Sequence, residues 1–510
     1  MASAFTDRAT VVSCPGKVLL AGGYLVLDPK HNGFVISTPS RFYTVVQDRQ
    51  GEQDGTGEAE ERFRVRVTSP QFDDGLWEYE ATKADGEWVV TAVQAEGASS
   101  NTFVHLSVQA SLQVAAALAP SASFRSLDVT IVGSNDFYSQ SREDAEPVPF
   151  APLNCTIRNV HKTGLGSSAA MVTSLTSSLL LHWTSPSPAS SSSPSRLPNP
   201  DDDTVQLLHN LAQYVHSLAQ GKVGSGFDVS AAVFGSQVYK RFAVACLEDL
   251  LDPNSTRGSK IYSQALLSVL SPSQNPAWTA PSTAGAVSPF ALPPNTLLLL
   301  ADVDAGSNTP SMVGKVMSWK KAQPEEAERV WGELGKSNEA LKEVFGQLTE
   351  TARSGKEEYD KEVERLSTLP ASEWSSASLP FSAAVQRILD TRALMREMGE
   401  GSGVPIEPPE QTRLLDACSA LPGVVGAGVP GAGGYDAIWV LCLAPSSSSA
   451  SPPVNAVESL LRSYTEMSVA PLSKNAWVQG GTFEGEAGLL RERLAEVEGL
   501  QTAVERGQTK

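Results

Sequence analysis

The segment that most constrains this chain is Lys162-Thr163-Gly164-Leu165-Gly166-Ser167-Ser168-Ala169-Ala170, because it follows a strand-like stretch and opens into Ala169 to Trp183, an Ala/Leu-rich run of strong helix propensity. The first turn of a helix carries unpaired N–H groups and the positive end of the helix dipole. Glycines let that backbone come close to an anion, and two serine hydroxyls add groups for phosphate oxygens or for a metal ion held on them. The pattern predicts a phosphate cradle at the head of a helix. The plain alternative is a glycine-containing turn with a serine N-cap.

Other nucleotide motifs fit less well. A P-loop needs GxxxxGK[ST]; the only GK[ST] is Gly335-Lys336-Ser337, and Val330 stands where the upstream glycine belongs, which excludes it. Gly164-x-Gly166-x-x-Ala169 also matches a loose dinucleotide fingerprint, but the Ser/Pro tract 184–200 follows where a second strand with an acidic end is required. Gly426-x-Gly428-x-x-Gly431 is followed by strand-like Ile438 to Leu443 rather than a helix.

Three further segments carry candidate chemistry. Pro15-Gly16-Lys17 sits between apolar runs ahead of Ala21-Gly22-Gly23-Tyr24, which makes Lys17 a candidate functional cation rather than a solvated lysine. In Gly221-Lys222-Val223-Gly224-Ser225-Gly226-Phe227-Asp228, glycines end an amphipathic helix and Asp228 opens another, as an N-cap or as a functional carboxylate. Pro430-Gly431-Ala432-Gly433-Gly434-Tyr435-Asp436 joins two strands with three glycines in four residues, a backbone kept bare for close approach. HExxH, GxSxG and local cysteine-nucleophile signatures are absent from the sequence.

Composition narrows the partners. Lys plus Arg is 39 and Asp plus Glu is 57, a net charge of −18, which argues against a dedicated nucleic-acid binder or a protein drawn to anionic membranes. Five cysteines, far apart and never CxxC, argue against a disulfide framework or a cysteine zinc site and fit a reducing compartment. No apolar run is long enough to span a bilayer, and neither end reads as a targeting signal, so the expectation is a cytoplasmic protein.

Strand-like stretches (11–20, 33–47, 63–67, 127–132, 296–303) are interleaved with helical ones (102–118, 169–183, 204–220, 310–348, 381–398), and 424–443 reads as strand, glycine-rich turn, strand. Without a regular βαβ beat this predicts α+β. The division falls near 250–290, giving domains over 1–250 and 290–500. Low-complexity insertions are expected at 51–61, 184–200, 271–294 and 444–453, with no fixed structure.

Taken in order, PGKVLLAGGY, KTGLGSSAA and PGAGGYDA resemble the three motifs of the GHMP kinases. With AGGYLVLD (21–28), HNLAQYVHSLAQGKVGSGFDVSAAVFGS (209–236) and IEPPEQTRLLDAC (406–418), the chain resembles the fungal-type phosphomevalonate kinases over most of its length. That resemblance implies a ribosomal-protein-S5-like N-terminal domain, a ferredoxin-like C-terminal domain, and an active site between them. It implies transfer of phosphate from ATP to 5-phosphomevalonate with Mg2+, in isoprenoid and sterol biosynthesis. Residues 162–170 match the ATP phosphate loop, with Ser168 near the metal; Lys17 matches a lysine near the transferred phosphate, and Asp228 an aspartate near the acceptor. Gly431, Ala432, Gly433 and Gly434 match the third motif, on the substrate side. Many superfamily members carry an acidic residue or histidine where this chain has Gly23, so no side-chain role transfers there.

A phosphate acceptor with second pKa ~6 is largely ionised at neutral pH. Asp228 is therefore expected to fix Lys17 and the acceptor in line rather than to act as an obligatory base. The acceptor's charges need local cations, for which Lys222, Lys240 and Arg241 are candidates, with Ser307 as a further contact. The rivals are a sister kinase acting on mevalonate, homoserine or a sugar, a non-catalytic ATP-binding regulator on the same fold, and, more distantly, a dehydrogenase.

Overall fold

Long apolar-patterned strands at the start of the chain build the middle of the first sheet. The structure is a computed structural model and describes residues 9–49, 61–93, 100–139, 148–185, 203–251, 262–278, 287–303, 309–445, 452–481 and 488–510. Strands β1 (Ala9–Ala21) and β2 (Gly33–Asp48) pair antiparallel, followed by β3 (Arg62–Thr68), β4 (Leu76–Ala84) and β5 (Glu87–Ala92). Helix α1 (Thr102–Leu118) and strand β6 (Leu127–Gly133) come next, then helices α2 (Ser167–Thr184), α3 (Asp203–Gln220) and α4 (Phe227–Phe234). The short strand β7 (Gln237–Tyr239), helices α5 (Ala245–Leu251) and α6 (Ser263–Leu270), and strand β8 (Ser288–Pro289) complete this part.

The second sheet begins with β9 (Thr296–Val303). Helices α7 (Thr309–Ala322), α8 (Pro324–Ser354), α9 (Lys356–Ser367), α10 (Phe381–Ser402) and α11 (Pro409–Ser419) precede strands β10 (Val424–Gly428) and β11 (Ala437–Leu443). Helix α12 (Pro452–Ser463) and strands β12 (Val469–Pro471) and β13 (Val478–Gln479) come after them, and the chain closes with β14 (Leu490–Glu492) and α13 (Leu500–Gln508).

The first sheet runs β14-β1-β2-β6-β3-β4-β5, with β7 on β2 and β8 on β7; the second runs β10-β11-β9-β12, with β13 on β9. Among the described strands only β3 and β6 pair in parallel. This mixture of mainly antiparallel sheets and packed helices is the expected α+β class.

Three expectations about organisation change. The helical stretch 310–348 is two helices, because Pro324 lacks the N–H needed to continue α7 and instead opens α8. The chain beyond 487 does not stay with the second sheet: β14 pairs with β1, and Leu500, Ala503 and Val504 pack with Val11, Val45 and Val132. In the stretch 271–294 the described residues, 271–278 and 287–294, have fixed places, with Trp278, Phe290 and Leu292 buried in the main core. Most of 184–200 and of 444–453, and 51–60, lie outside the described residues.

Two features of the fold position the candidate site. Between Pro15 and Lys17 the β1–β2 register jumps, so that Gly16 alone faces Thr38, Pro39 and Ser40. Pro39 has no N–H for the ladder, and such an irregularity re-aims the neighbouring side chain, here Lys17. Second, Tyr24 and Leu25, in the 3-10 turn Gly23–Leu27, are buried among Met312, Val316, Trp319, Met395 and Met398 of the second unit. The AGGY segment thereby ties the end of β1 to helices α7 and α10.

Candidate active site

The phosphate-loop segment is a left-handed turn heading a buried helix. Gly164 and Gly166 have φ of +75° and +80°, and Gly166 is the N-cap of α2. The first intrahelical bond runs from Ala170 N to Gly166 O at 3.1 Å, so the amides of Ser167, Ser168 and Ala169 precede the ladder and have no helical acceptor. Leu165 and Thr163 are buried and anchor the loop from below. The segment before it is irregular rather than strand-like, apart from a single bridge between Tyr138 and Lys162.

Lys17 is bound into this loop. Its backbone N–H donates to Leu165 O at 2.9 Å, and its Nζ donates to Gly164 O at 2.9 Å. A Cβ on Gly166 would lie 3.0 Å from Lys17 Cε, and one on Gly16 would lie 3.0 Å from Leu165 O. Gly16 is favoured by this close approach of main chain, and Gly166 chiefly by its φ of +80°. Burial pushes the Lys17 ammonium below the ordinary lysine range, while Asp228 and Asp436 pull it back up. Its Nζ also lies 5.5 Å from the centre of the Phe227 ring, beside Asp228.

Asp228 stands in the first turn of α4, half-buried, with Val229 N donating to its Oδ1 at 3.0 Å. Gly226 precedes the helix at φ +80°; Gln213 Nε2 donates to its carbonyl at 2.7 Å, and a Cβ there would meet the Phe242 ring at 2.6 Å. Val229 packs with Ala169 and Ala212, which brings the heads of α4 and α2 together. Ser168 Oγ lies 3.2 Å from His216 Nε2, and Gln220 Nε2 lies 3.1 Å from the same nitrogen.

The third glycine-rich segment closes the same site from the second unit. Gly431 N donates to Leu19 O at 3.3 Å, and Tyr24 Oη to Ala432 O at 2.9 Å. Gly434 N donates to Ile406 O at 2.8 Å, and a Cβ on Gly433 would sit 2.1 Å from that oxygen. Residue 407 holds this support: Glu407 accepts from Arg392 at 2.8 and 3.0 Å, from Arg396 at 2.7 Å and from Thr412 at 3.0 Å. At Gly23 a Cβ would meet the Met395 side chain at 2.7 Å.

The cation candidates divide. Lys222 is exposed and Lys240 half-buried. Arg241 is not presented as a free phosphate ligand: Nη1 donates to Leu27 O at 2.7 Å, and Nη2 to Gly224 O at 2.6 Å and Val223 O at 3.5 Å. Its guanidinium clasps the loop ahead of Asp228. Lys162 stands at the start of the phosphate loop, where desolvation lowers its pKa. Ser307 lies outside the described residues. Sequence reasoning missed Asp436, His216 and Glu407. Asp436 was visible as the acidic end of the third motif, and His216 as the i−4 neighbour of Gln220.

The site's oxygen donors limit how a metal ion is held. Among the described residues no group of three or more His, Cys, Asp or Glu side chains forms a metal cage. Mg2+ needs none when it rides on phosphates, since one or two protein oxygens then suffice. Ser168 and Asp228, in the first turns of two helices whose heads pack together, carry oxygens of that kind.

Residues 382–464 match the family model described as GHMP kinases C terminal. Over 85% of its length the chain is 37% identical to the phosphomevalonate kinase erg8 of Aspergillus fumigatus, covering 87% of that protein. It is 35% identical to the peroxisomal phosphomevalonate kinase of Arabidopsis thaliana, over 86% of this chain and 90% of that one. In fold it is similar to the Streptococcus pneumoniae phosphomevalonate kinase in complex with phosphomevalonate and AMPPNP, with a TM-score of 0.54 at 14% identity, covering 92% of this chain and 99% of that one.

Proposed function

Because the chain belongs to the phosphomevalonate kinase family, we infer that it transfers the γ-phosphoryl group of ATP to the phosphate of 5-phosphomevalonate, giving ADP and 5-diphosphomevalonate. The bond from γ-phosphorus to the bridging oxygen breaks as a bond to an acceptor phosphate oxygen forms. Such a transfer needs positioning and charge neutralisation more than covalent help. The observation that carries the reading is the convergence on one spot of the α2 amides, the Lys17 ammonium on Gly164 O, and the Asp228 carboxylate.

Residues 162–170 form the nucleotide side, with the free amides of Ser167 to Ala169 aimed at the phosphates. Lys17, held in place by two bonds to the loop, meets the charge that develops on the transferred group. Mg2+ would be held by the nucleotide phosphates with Ser168 and Asp228, and when bound it neutralises phosphate charge. Asp228 fixes Lys17 and the acceptor in line. The acceptor arrives already ionised, so no strong base is required. If Asp228→Asn were inactive at neutral pH but recovered in alkaline buffer, the base assignment would replace this one.

Gly431 to Gly434 bound the acceptor side, with Lys222 and Lys240 as its cations and Arg241 shaping the loop between them. The two sheets serve as the two halves of the site, the first carrying the nucleotide and the second closing on the acceptor. No described helix is long and apolar enough to cross a membrane. Cytoplasmic residence is supported by the cysteine usage, and the peroxisomal Arabidopsis relative makes organelle fractionation the test.

The reaction is tested by ADP release against a panel of acceptors with and without Mg2+. Turnover of 5-phosphomevalonate, and none of mevalonate, homoserine or galactose, is the expected result. ATP binding with no turnover of any acceptor would favour the regulatory reading.

A further inference from the structure

Residues 134–139 stand between the phosphate loop and the second unit and are bonded to both. On the loop side, Thr163 Oγ1 donates to Asp136 O at 2.5 Å, Thr163 N to Phe137 O at 3.3 Å, and Ser139 N to His161 O at 3.0 Å. On the other side, Ser473 N, between β12 and β13, donates to Asp136 Oδ1 at 3.1 Å, and Ser139 Oγ donates to Asp302 Oδ2 on β9 at 2.7 Å. The remaining Asp136 oxygen, Oδ2, accepts from Ser40 Oγ at 3.3 Å. Ser40 lies in the irregular stretch of β2 that faces Gly16, next to Lys17.

We propose that Asp136 is a positioning residue that couples the seating of the second unit to the conformation of the phosphate loop, so that nucleotide and acceptor strengthen each other's binding. Asp136 is only 8% exposed. A buried carboxylate is costly unless donors surround it. Here the donors are Ser40, Ser473 and the main-chain N–H of Asp136 itself, all neutral, and Ser473 alone comes from the other unit, so the carboxylate loses its cross-unit donor when Ser473 is displaced. The main-chain carbonyl of the same residue holds Thr163, and through it the loop. Displacing Ser473 therefore disturbs the support of the nucleotide phosphates, and ordering that loop favours the seated second unit. Linkage makes the effect reciprocal: whatever factor the acceptor adds to nucleotide affinity, the nucleotide adds to acceptor affinity.

The inference rests on the assignment of nucleotide to the first unit and acceptor to the junction. The test measures, on the full chain, the dissociation constant of AMPPNP with and without saturating 5-phosphomevalonate. Ser473→Pro removes the donor N–H while the native φ of −62° suits proline. Asp136→Asn keeps an acceptor oxygen for Ser473, and Asp136→Ala keeps none.

Wild type is expected to bind the nucleotide more tightly when the acceptor is present. Ser473→Pro and Asp136→Ala should bring that ratio to about one, with KM for ATP raised on the order of tenfold. Asp136→Asn should retain most of the ratio. A folded Ser473→Pro enzyme with the wild-type ratio overturns the proposal, as does a wild-type ratio of one. A role confined to stability would lower the melting temperature and leave the ratio intact. Should Asp136→Ala not fold, Ser473→Pro and Ser139→Ala decide the matter. A wild-type protein that neither binds nor phosphorylates 5-phosphomevalonate overturns the functional reading and this proposal with it.

Discussion

The two glycine-rich segments beside Lys17, 162–170 and 430–437, both present bare main chain, yet they are held in different ways. The first is supported by backbone: Lys17 N on Leu165 O, Thr163 on the carbonyls of 136 and 137, and the start of its own helix. The second hangs from Ile406, and Ile406 is placed by a buried ionic cluster in which Glu407 meets Arg392 and Arg396. A main-chain support is disturbed only through the groups that hold that main chain, here Asp136 and its partners Ser40 and Ser473. A charged one concentrates its dependence on a single carboxylate far from the chemistry, and the sharpest ways to separate the two segments start there.

The largest effect is expected at Glu407. Burial alone would raise its carboxyl, but the bonds and charges of Arg392, and then of Arg396, outweigh this and hold it below the ordinary glutamate range. Breaking a buried pair by removing one partner costs about 3–5 kcal/mol. Glu407→Gln should lower the melting temperature at pH 7 and loosen 430–437, raising KM for the acceptor more than KM for ATP. The sign with pH comes from the depressed carboxyl. Its contribution is complete above the unfolded glutamate pKa of ~4.3 and fades as pH falls through the lower folded value. The acid limb of the stability curve should therefore flatten in the variant, as thermal scans across that range would show. An unchanged acid limb would mean that Glu407 is not the support described.

Lys17→Met probes the backbone-held segment and should behave in the opposite manner. Removing a preorganised charge at a developing oxyanion costs on the order of 10²–10³ in kcat. The fold should hold, because the site loses a cation that burial already disfavours. Steady-state kinetics with a melting curve checks both halves. A large fall in melting temperature with little loss of kcat would reverse the comparison between the segments.

Within the third segment two glycines predict unequal results. Gly433→Ala puts a methyl 2.1 Å from Ile406 O at φ +73°, whereas Gly431→Ala meets nothing within 4 Å at φ +65°. The second change carries only the left-handed penalty, about 1–2 kcal/mol. The first adds displacement of a main-chain oxygen and should abolish most acceptor turnover. Equal kinetics for the two variants would show that the Ile406 contact does not govern the segment.

Legibility in the sequence divides along the same line. Features carried by backbone are written locally: the glycine–serine turn before an Ala/Leu run heads α2, and the glycines ahead of Asp228 open α4. The limits of α1 and β9 are also readable, since an amphipathic or apolar run ends at a turn residue. Illegible were the features that depend on contacts far apart in sequence. The pairing of β14 with β1 joins residues 11–13 to 490–492, and no local pattern announces it. Glu407 carries no local sign of its role, because its partners Arg392 and Arg396 reach it from α10. The α7–α8 break is signalled by Pro324 but lost within a longer helical pattern.

The smallest expected effects fall at Arg241 and Lys222 and separate two meanings of a nearby cation. As a phosphate ligand it would be replaceable in part by lysine, which keeps the charge. As a clasp it is not, because lysine lacks the planar fork that reaches Leu27 O, Val223 O and Gly224 O together. Arg241→Lys and Arg241→Ala should therefore raise KM for 5-phosphomevalonate alike, by about tenfold for the loss of roughly one charge-assisted hydrogen bond's worth of loop order. KM for ATP should stay near wild type. Lys222→Ala, on the exposed turn of the same loop, sets the scale of a direct but solvent-screened contribution, within about threefold. Full rescue by Arg241→Lys would return the guanidinium to the acceptor's phosphate. Failure of both variants, with Lys222→Ala nearly silent, leaves it as the clasp that holds Val223 and Gly224 against the end of the 3-10 turn Gly23–Leu27, and with them the approach to Asp228, whose charge acts on Lys17.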